Sequence, residues 1–220
     1  MSGEDPRWTR SRAVLIQAVT ALVDAGETPT ITDVVQRAGV SRPTFYQHFG
    51  DLPTALSNAA LDRIEAQFAD VVVPAGMEVD LDFSRKTITA LLAHLAEHSV
   101  FYRAVLADSS ARRFTASVVE FVANRILTVS PLWLNPDEDT TTVTNDRVTV
   151  LAAGLVWLIT QWLKRIDDGA ESTSKMADRL VALMDFFGSA TDKPSRDGAA
   201  SPVTNLSARD SSSARGDQKA

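Results

Sequence analysis

The stretch Ala38-Gly39-Val40-Ser41-Arg42-Pro43-Thr44-Phe45-Tyr46-Gln47-His48-Phe49 decides how this chain is read. Gly39 can close a helix at its C-terminal end, and Ser41 is a good N-cap for the next one, with Pro43 in the first turn where its missing N–H costs least. Phe45 and Phe49 fall at i, i+4 and share a face. Just upstream, Thr30-Ile31-Thr32-Asp33 has the pattern of a capping box, in which Thr30 accepts from a first-turn amide and Asp33 reaches back. The helix it opens carries Val34, Val35 and Ala38 and stops at Gly39. Earlier still, Val14, Leu15, Ala18, Val19, Leu22 and Val23 trace one face of a helix that Gly26 can terminate.

Three short helices with a tight turn between the last two have the spacing of a helix-turn-helix. Phe45 and Phe49 then pack inward against Leu15, Val19, Leu22, Val34 and Val35, and Val40 plugs the angle. The opposite side of the third helix presents Arg42, Pro43, Thr44, Tyr46, Gln47 and His48, a dense set of donors with one apolar wedge. That is the chemistry a major groove asks for.

Working outward, Asp51 caps a fourth helix whose apolar face, Leu56, Leu61, Ile64, Phe68 and Val71, lasts until Pro74 and Gly76. Further helices are expected over Ser84–His98, Val100–Ala107, Ser110–Thr128, Asn145–Asp167 and Ser174–Phe187. Only Thr140–Val150 is β-branched enough to admit a short strand. The fold class is therefore all-α, with domains at residues 1–53 and 54–188 and a disordered tail at 189–220, too poor in apolar residues to offset chain ordering. At 220 residues, 45% hydrophobic and 23% charged, wholesale disorder is excluded, and with no cysteine the chain has neither disulfides nor thiolate chemistry. No apolar run reaches the roughly 18 residues of a membrane helix, and the acidic N-terminus lacks the pattern of a secretory signal, so the chain reads as cytoplasmic with no membrane partner. Its net charge of −6 gives no global pull toward nucleic acid, so binding to DNA must come from a local surface.

Residues Ala38–Phe49, together with Arg12 and Gly26, closely resemble the helix-turn-helix signature of TetR-family transcriptional repressors. The resemblance implies a ligand-responsive regulator that binds a palindromic operator in double-stranded DNA as a homodimer, without cofactor or catalysis. It places base contacts on Arg42 and Pro43, and phosphate contacts on Thr44, Tyr46 and His48. Gln47 can reach either, and Ser41, Thr30 and Thr32 stand at the helix starts near the backbone. It places an effector pocket among the middle helices, with Phe68, Leu91, Leu95, Phe101, Tyr102, Val105, Phe114, Val118, Phe121, Val122, Trp133, Leu155 and Trp157 as lining and Tyr102, Asn124 or Arg125 as polar groups. That lining suits an apolar or aromatic small molecule. The last two long helices would pair with their copies in a second subunit through Leu158, Trp162, Leu180, Leu183, Met184 and Phe187. One departure stands out: many family members place a phosphate-contacting lysine at the start of the fourth helix, where this chain has Gly50-Asp51-Leu52-Pro53.

That missing lysine, and a head in which Arg7, Arg10, Arg12, Arg37 and Arg42 are outnumbered by acids, motivate the alternative of a helical ligand-binding or protein-interaction module that has lost specific DNA binding. His94-Leu95-Ala96-Glu97-His98 matches H-x-x-E-H, a metalloprotease pattern. With an apolar stripe at Ile88, Leu91, Leu92 and Leu95, the histidines sit at its edge while Glu97 points nearly opposite, and no third ligand is evident, so no metal is assigned.

Overall fold

A computed structural model describes residues 5–69, 81–107, 109, 111–129, 141–169 and 171–189. Among these residues the order is α1 (Pro6–Asp24), α2 (Ile31–Ala38), α3 (Arg42–Phe49), α4 (Leu52–Ala69), α5 (Leu81–Glu97), α6 (Ser99–Ala107), α7 (Ala111–Val129), α8 (Thr141–Lys164), a 3-10 turn (Ile166–Asp168) and α9 (Thr173–Ser189), with no strand. No described helix is long and apolar enough to cross a membrane. The tail assigned to residues 189–220 lies outside the described residues save for Ser189, as does the Pro74–Gly76 break.

The first three helices form where their caps dictate. Asp5 accepts from the Arg7 amide at the start of α1, and Thr30 and Asp33 close the reciprocal box on α2. Gly39 takes φ 66° to end α2, a conformation that costs a glycine little and a side chain more. Their apolar faces meet: Leu15, Val19, Val34 and Phe45 are fully buried.

The helices after α4 form two tight pairs, α5 along α9 and α7 along α8, with α6 packed against both α4 and α7. The fourth helix joins the first three helices to the later ones. It packs on α1 on one side and on α7 and α6 on the other, and its 18 residues span about 27 Å at ~1.5 Å each. Two arginine–carboxylate clasps fasten it to α1. Arg12 donates to both Asp62 oxygens at 2.8 and 3.0 Å, and Arg63 donates to both Asp24 oxygens at 2.9 Å.

The β-branched stretch that admitted a strand is helical from Thr141. Its register explains why: Val148, Leu151, Ala152 and Leu155 are buried at i, i+3, i+4 and i+7, so helical packing overrides local strand preference.

Candidate nucleic-acid interface

Ser41 accepts from the Thr44 amide at 3.3 Å, and its hydroxyl meets the Thr44 hydroxyl at 2.8 Å. This cap fixes the start of α3, and Phe45 and Phe49 fix its rotation by burying their rings against α1 and α2. What remains outside is Ser41, Arg42, Pro43, Tyr46 and Gln47, all exposed, with Tyr46 at 51%. The Arg42 guanidinium donates to the Thr32 hydroxyl across the turn. Thr30 and Thr32 are exposed at the opening of α2, so both helix starts share one surface. Hydrogen bonds from Thr30 hold the Asp33 carboxyl below its ordinary value.

His48 departs from that outward set. Its ring lies 3.8 Å from the Trp8 ring, and Nε2 sits 2.7 Å from the Ser11 hydroxyl. Ser11 donates its own proton to the Trp8 carbonyl, so Nε2–H of His48 is the donor and Nδ1, buried without a partner, is the bare nitrogen. Burial, and then the charge of Arg12, push its pKa below the ordinary 6.5. The imidazole thus pins α3 to the start of α1 and is not presented for a phosphate. Thr44 is half-buried and engaged with Ser41. Trp8, 39% exposed beside this contact, was not singled out from sequence, where a lone Trp before the apolar stripe gives no sign of a partner on α3.

Between α4, α5, α7, α8 and α9, a cavity of about 140 Å³ is lined by Phe68, Leu91, Val122, Arg125 and Leu155 among the expected residues, with Phe83, Ser84, Thr87, Ile88, Ile126, Val156, Ile159, Leu180 and Met184 added. A smaller one of about 60 Å³ takes Leu95, Tyr102, Phe114 and Val118. Other expectations need correction. Phe101 and Val105 are core residues facing neither cavity, with Phe101 beneath the Arg63 guanidinium at 4.9 Å. Phe121 packs behind Phe68, ring centroids 5.4 Å apart. Asn124 is exposed, and Trp133 lies outside the described residues. Trp157 is 60% exposed on the outer side of α8.

The residues assigned to dimerisation divide the same way. Trp162 is buried, donating Nε1–H to the Glu171 carbonyl at 3.0 Å. Leu180 is 1% exposed and, like Met184, turns into the larger cavity. Leu158 and Phe187 pack half-buried on the core, and Leu183 is half-buried. Among the described residues, the large apolar side chains left exposed on these two helices are Val150, Trp157 and Phe186, at 63%, 60% and 68% exposure.

Between cavity and head runs a chain of polar contacts. The Tyr102 hydroxyl, on the wall of the smaller cavity, is 3.0 Å from Nε2 of His94. The His94 and His98 rings lie 4.7 Å apart, and Nδ1 of His98 accepts from Arg63 at 3.3 Å. Arg63 is the residue clasped to Asp24 on α1. Burial first, then the charges of His98 and Arg63, lower His94 to about 4, and burial raises the Tyr102 phenol. Both are neutral at pH 7. Each of these histidines thus has a ring nitrogen committed to a protein partner, and no group of three or more metal-ligating side chains occurs among the described residues.

No protein-family model matches the sequence. No curated protein matches it either. Solved structures do match over most of its length. A TetR-like transcriptional regulator from Rhodococcus sp. RHA1 is 17% identical, covering 86% of this chain and 100% of its own at a TM-score of 0.44. A putative TetR-family transcriptional regulator from Rhodococcus sp. is 22% identical, covering 81% and 97% at 0.47. The fatty acid degradation regulator FadR from Bacillus halodurans is 11% identical, covering 83% and 96% at 0.45.

Proposed function

We propose that this chain is a DNA-binding transcriptional regulator of the TetR type, a ligand-responsive repressor that grips a palindromic operator as a homodimer. The observation that carries the reading is the outer face of α3. Arg42, Pro43, Tyr46 and Gln47 are exposed together beside Thr30 and Thr32, on a helix whose caps and buried phenylalanines leave it one orientation. An arginine reads guanine in the major groove, a proline ring can rest on a thymine methyl, and hydroxyls at two helix starts suit the phosphates on either side.

One short helix reads few base pairs, so a two-fold partner is needed to double the site. The exposed Val150 and Trp157, two turns apart on α8, and Phe186 on α9 are the apolar surface for that partner. The effector acts through α4. Ile64 and Phe68 of this helix line the cavities, while Asp62 and Arg63, immediately before Ile64, hold α1. Filling the cavity moves α4 and the two heads with it. Heads matched to B-DNA sit about 34–36 Å apart or a multiple of that, so a modest rotation spoils simultaneous contact.

Selection of duplexes from a random pool by the full chain, followed by salt titration on a selected and a scrambled duplex, tests this. The expected result is a palindromic site bound at least about 10³-fold tighter than random sequence. Equal affinity for both duplexes at every salt concentration would instead favour the binding module without operator recognition, which the acid-rich head and the missing lysine at the start of α4 suggest.

A further inference from the structure

The outer face of α3 carries its cation at one end. Arg42 stands at the front, beside Thr32, and between it and Arg63 the sequence holds no lysine or arginine. A duplex whose major groove takes this helix has a phosphate backbone along each side of that groove. The strand that passes the rear of α3 meets Tyr46 and then the corner formed by residues 50–53, where the only charge is the carboxylate of Asp51. For a polyanion that corner is repulsive unless a cation reaches it from elsewhere.

The cation comes from α7. A polar groove of about 400 Å³ is lined by Asp51 and Pro53 at the start of α4 and by Ser109, Arg112, Arg113 and Ala116 across from them. The two arginines have different tasks. Arg113 donates to the Thr54 hydroxyl, and Asp51 accepts from the Thr54 amide at 2.7 Å. Hydrogen bonds from Thr54 first, and then the charge of Arg113, hold the Asp51 carboxyl below its ordinary value. Arg113 thus balances Asp51. Arg112 is exposed in the same groove and, among the described residues, meets no carboxylate and no hydrogen-bond acceptor, so the groove is left with one unbalanced positive charge. That charge stands near α3, because the Gly50 amide bonds the Tyr46 carbonyl at 3.1 Å and Asp51 follows about one turn, ~5.4 Å, behind Tyr46.

We infer that Arg112 grips a phosphate of the DNA backbone beside Tyr46, so that α7, which also lines both cavities, touches the duplex directly. The planar guanidinium suits a phosphate, to which it can donate two parallel hydrogen bonds. The inference rests on the DNA-binding reading above and adds a contact to that same surface, from a helix outside the head.

Fluorescence-anisotropy titrations of the full chain over a salt series, on the selected and the scrambled duplex, test it with Arg112→Gln, Arg112→Lys and Lys175→Gln, the last removing an equal charge from α9. Arg112→Gln loses about two- to fivefold in affinity for each bound subunit, on both duplexes alike. Its log–log salt slope falls by about 1 per subunit, while Arg112→Lys and Lys175→Gln keep the slope of the unaltered chain. Thermal melts confirm that each variant is folded. Replacing single phosphates by uncharged methylphosphonates locates the contact: at one position in each half-site the unaltered chain weakens and Arg112→Gln does not. A slope unchanged in Arg112→Gln, an equal fall in Lys175→Gln, or no phosphate that separates Arg112→Gln from the unaltered chain overturns the assignment, and the operator reading survives as long as the selected duplex is still preferred. If the unaltered chain prefers neither duplex yet Arg112→Gln lowers the slope, the phosphate contact stands and the operator reading fails. Binding to neither duplex overturns both.

Discussion

Replacing Tyr102 by phenylalanine removes one oxygen from the contact between the smaller cavity and the polar chain that leads to α1. Tyr102 is 1% exposed, and its hydroxyl meets Nε2 of His94 at 3.0 Å. The phenyl ring of the variant keeps the packing, so no cavity larger than the lost oxygen opens. A neutral hydrogen bond contributes about 0.5–1.5 kcal/mol net, and leaving a buried polar nitrogen without its partner costs about 1–3 kcal/mol. His94 is only half-buried and water can reach part of its ring, which places the expected loss at the low end, about 1–2 kcal/mol. Urea unfolding of Tyr102→Phe, of His94→Leu and of the double variant gives the coupling between the two side chains directly. The geometry requires a coupling of about 0.5–1.5 kcal/mol. A coupling of zero, or a single-variant loss above about 4 kcal/mol of the kind a collapsed core produces, means that the hydroxyl and the imidazole do not work as a pair.

Stability should fall in acid. His94 is neutral in the folded chain down to about pH 4 but takes up a proton near its ordinary 6.5 when unfolded. Between those values the unfolded chain binds more protons, so stability rises with pH and is progressively lost as pH drops from 6.5 toward 4. His48, lowered by burial, acts in the same direction. Denaturation series at pH 7 and pH 5 should show a smaller loss in His94→Gln than in the unaltered chain, and an identical loss in both removes His94 from the account. For the homodimer proposed above, Trp157→Glu should give a monomer in sedimentation while leaving the cooperativity of unfolding intact, because the ring is 60% exposed within its own subunit. A variant that sediments unchanged shows that this face is not the interface.

The head was legible because its signals are local. The Thr30–Asp33 box, Gly39, the Ser41 cap and the Phe45/Phe49 pair each act within one turn of chain, and each stands where its sequence puts it. His48 was misread because its partners, Trp8 and Ser11, come from a distant stretch, and an exposed-looking position on a short helix says nothing about them. The same limit governs α8. Between Leu151 and Leu163 the helix is apolar nearly all round, so periodicity could not tell the buried Trp162 from the exposed Trp157. Leu180 and Met184 form a stripe that sequence could equally give to a partner subunit or to an internal cavity; the packing of α9 against α5 turns them inward.

The most direct test of the central claim is binding of Arg42→Ala to the selected operator and to each of its single-base-pair variants, at one salt concentration. The unaltered chain should discriminate at every position of the half-site. The variant should lose about 1–3 kcal/mol on the operator, roughly 5- to 150-fold, and become indifferent at one base pair in each half-site while keeping the rest. A uniform loss on every duplex, or no loss, would mean that the outer face of α3 does not read sequence.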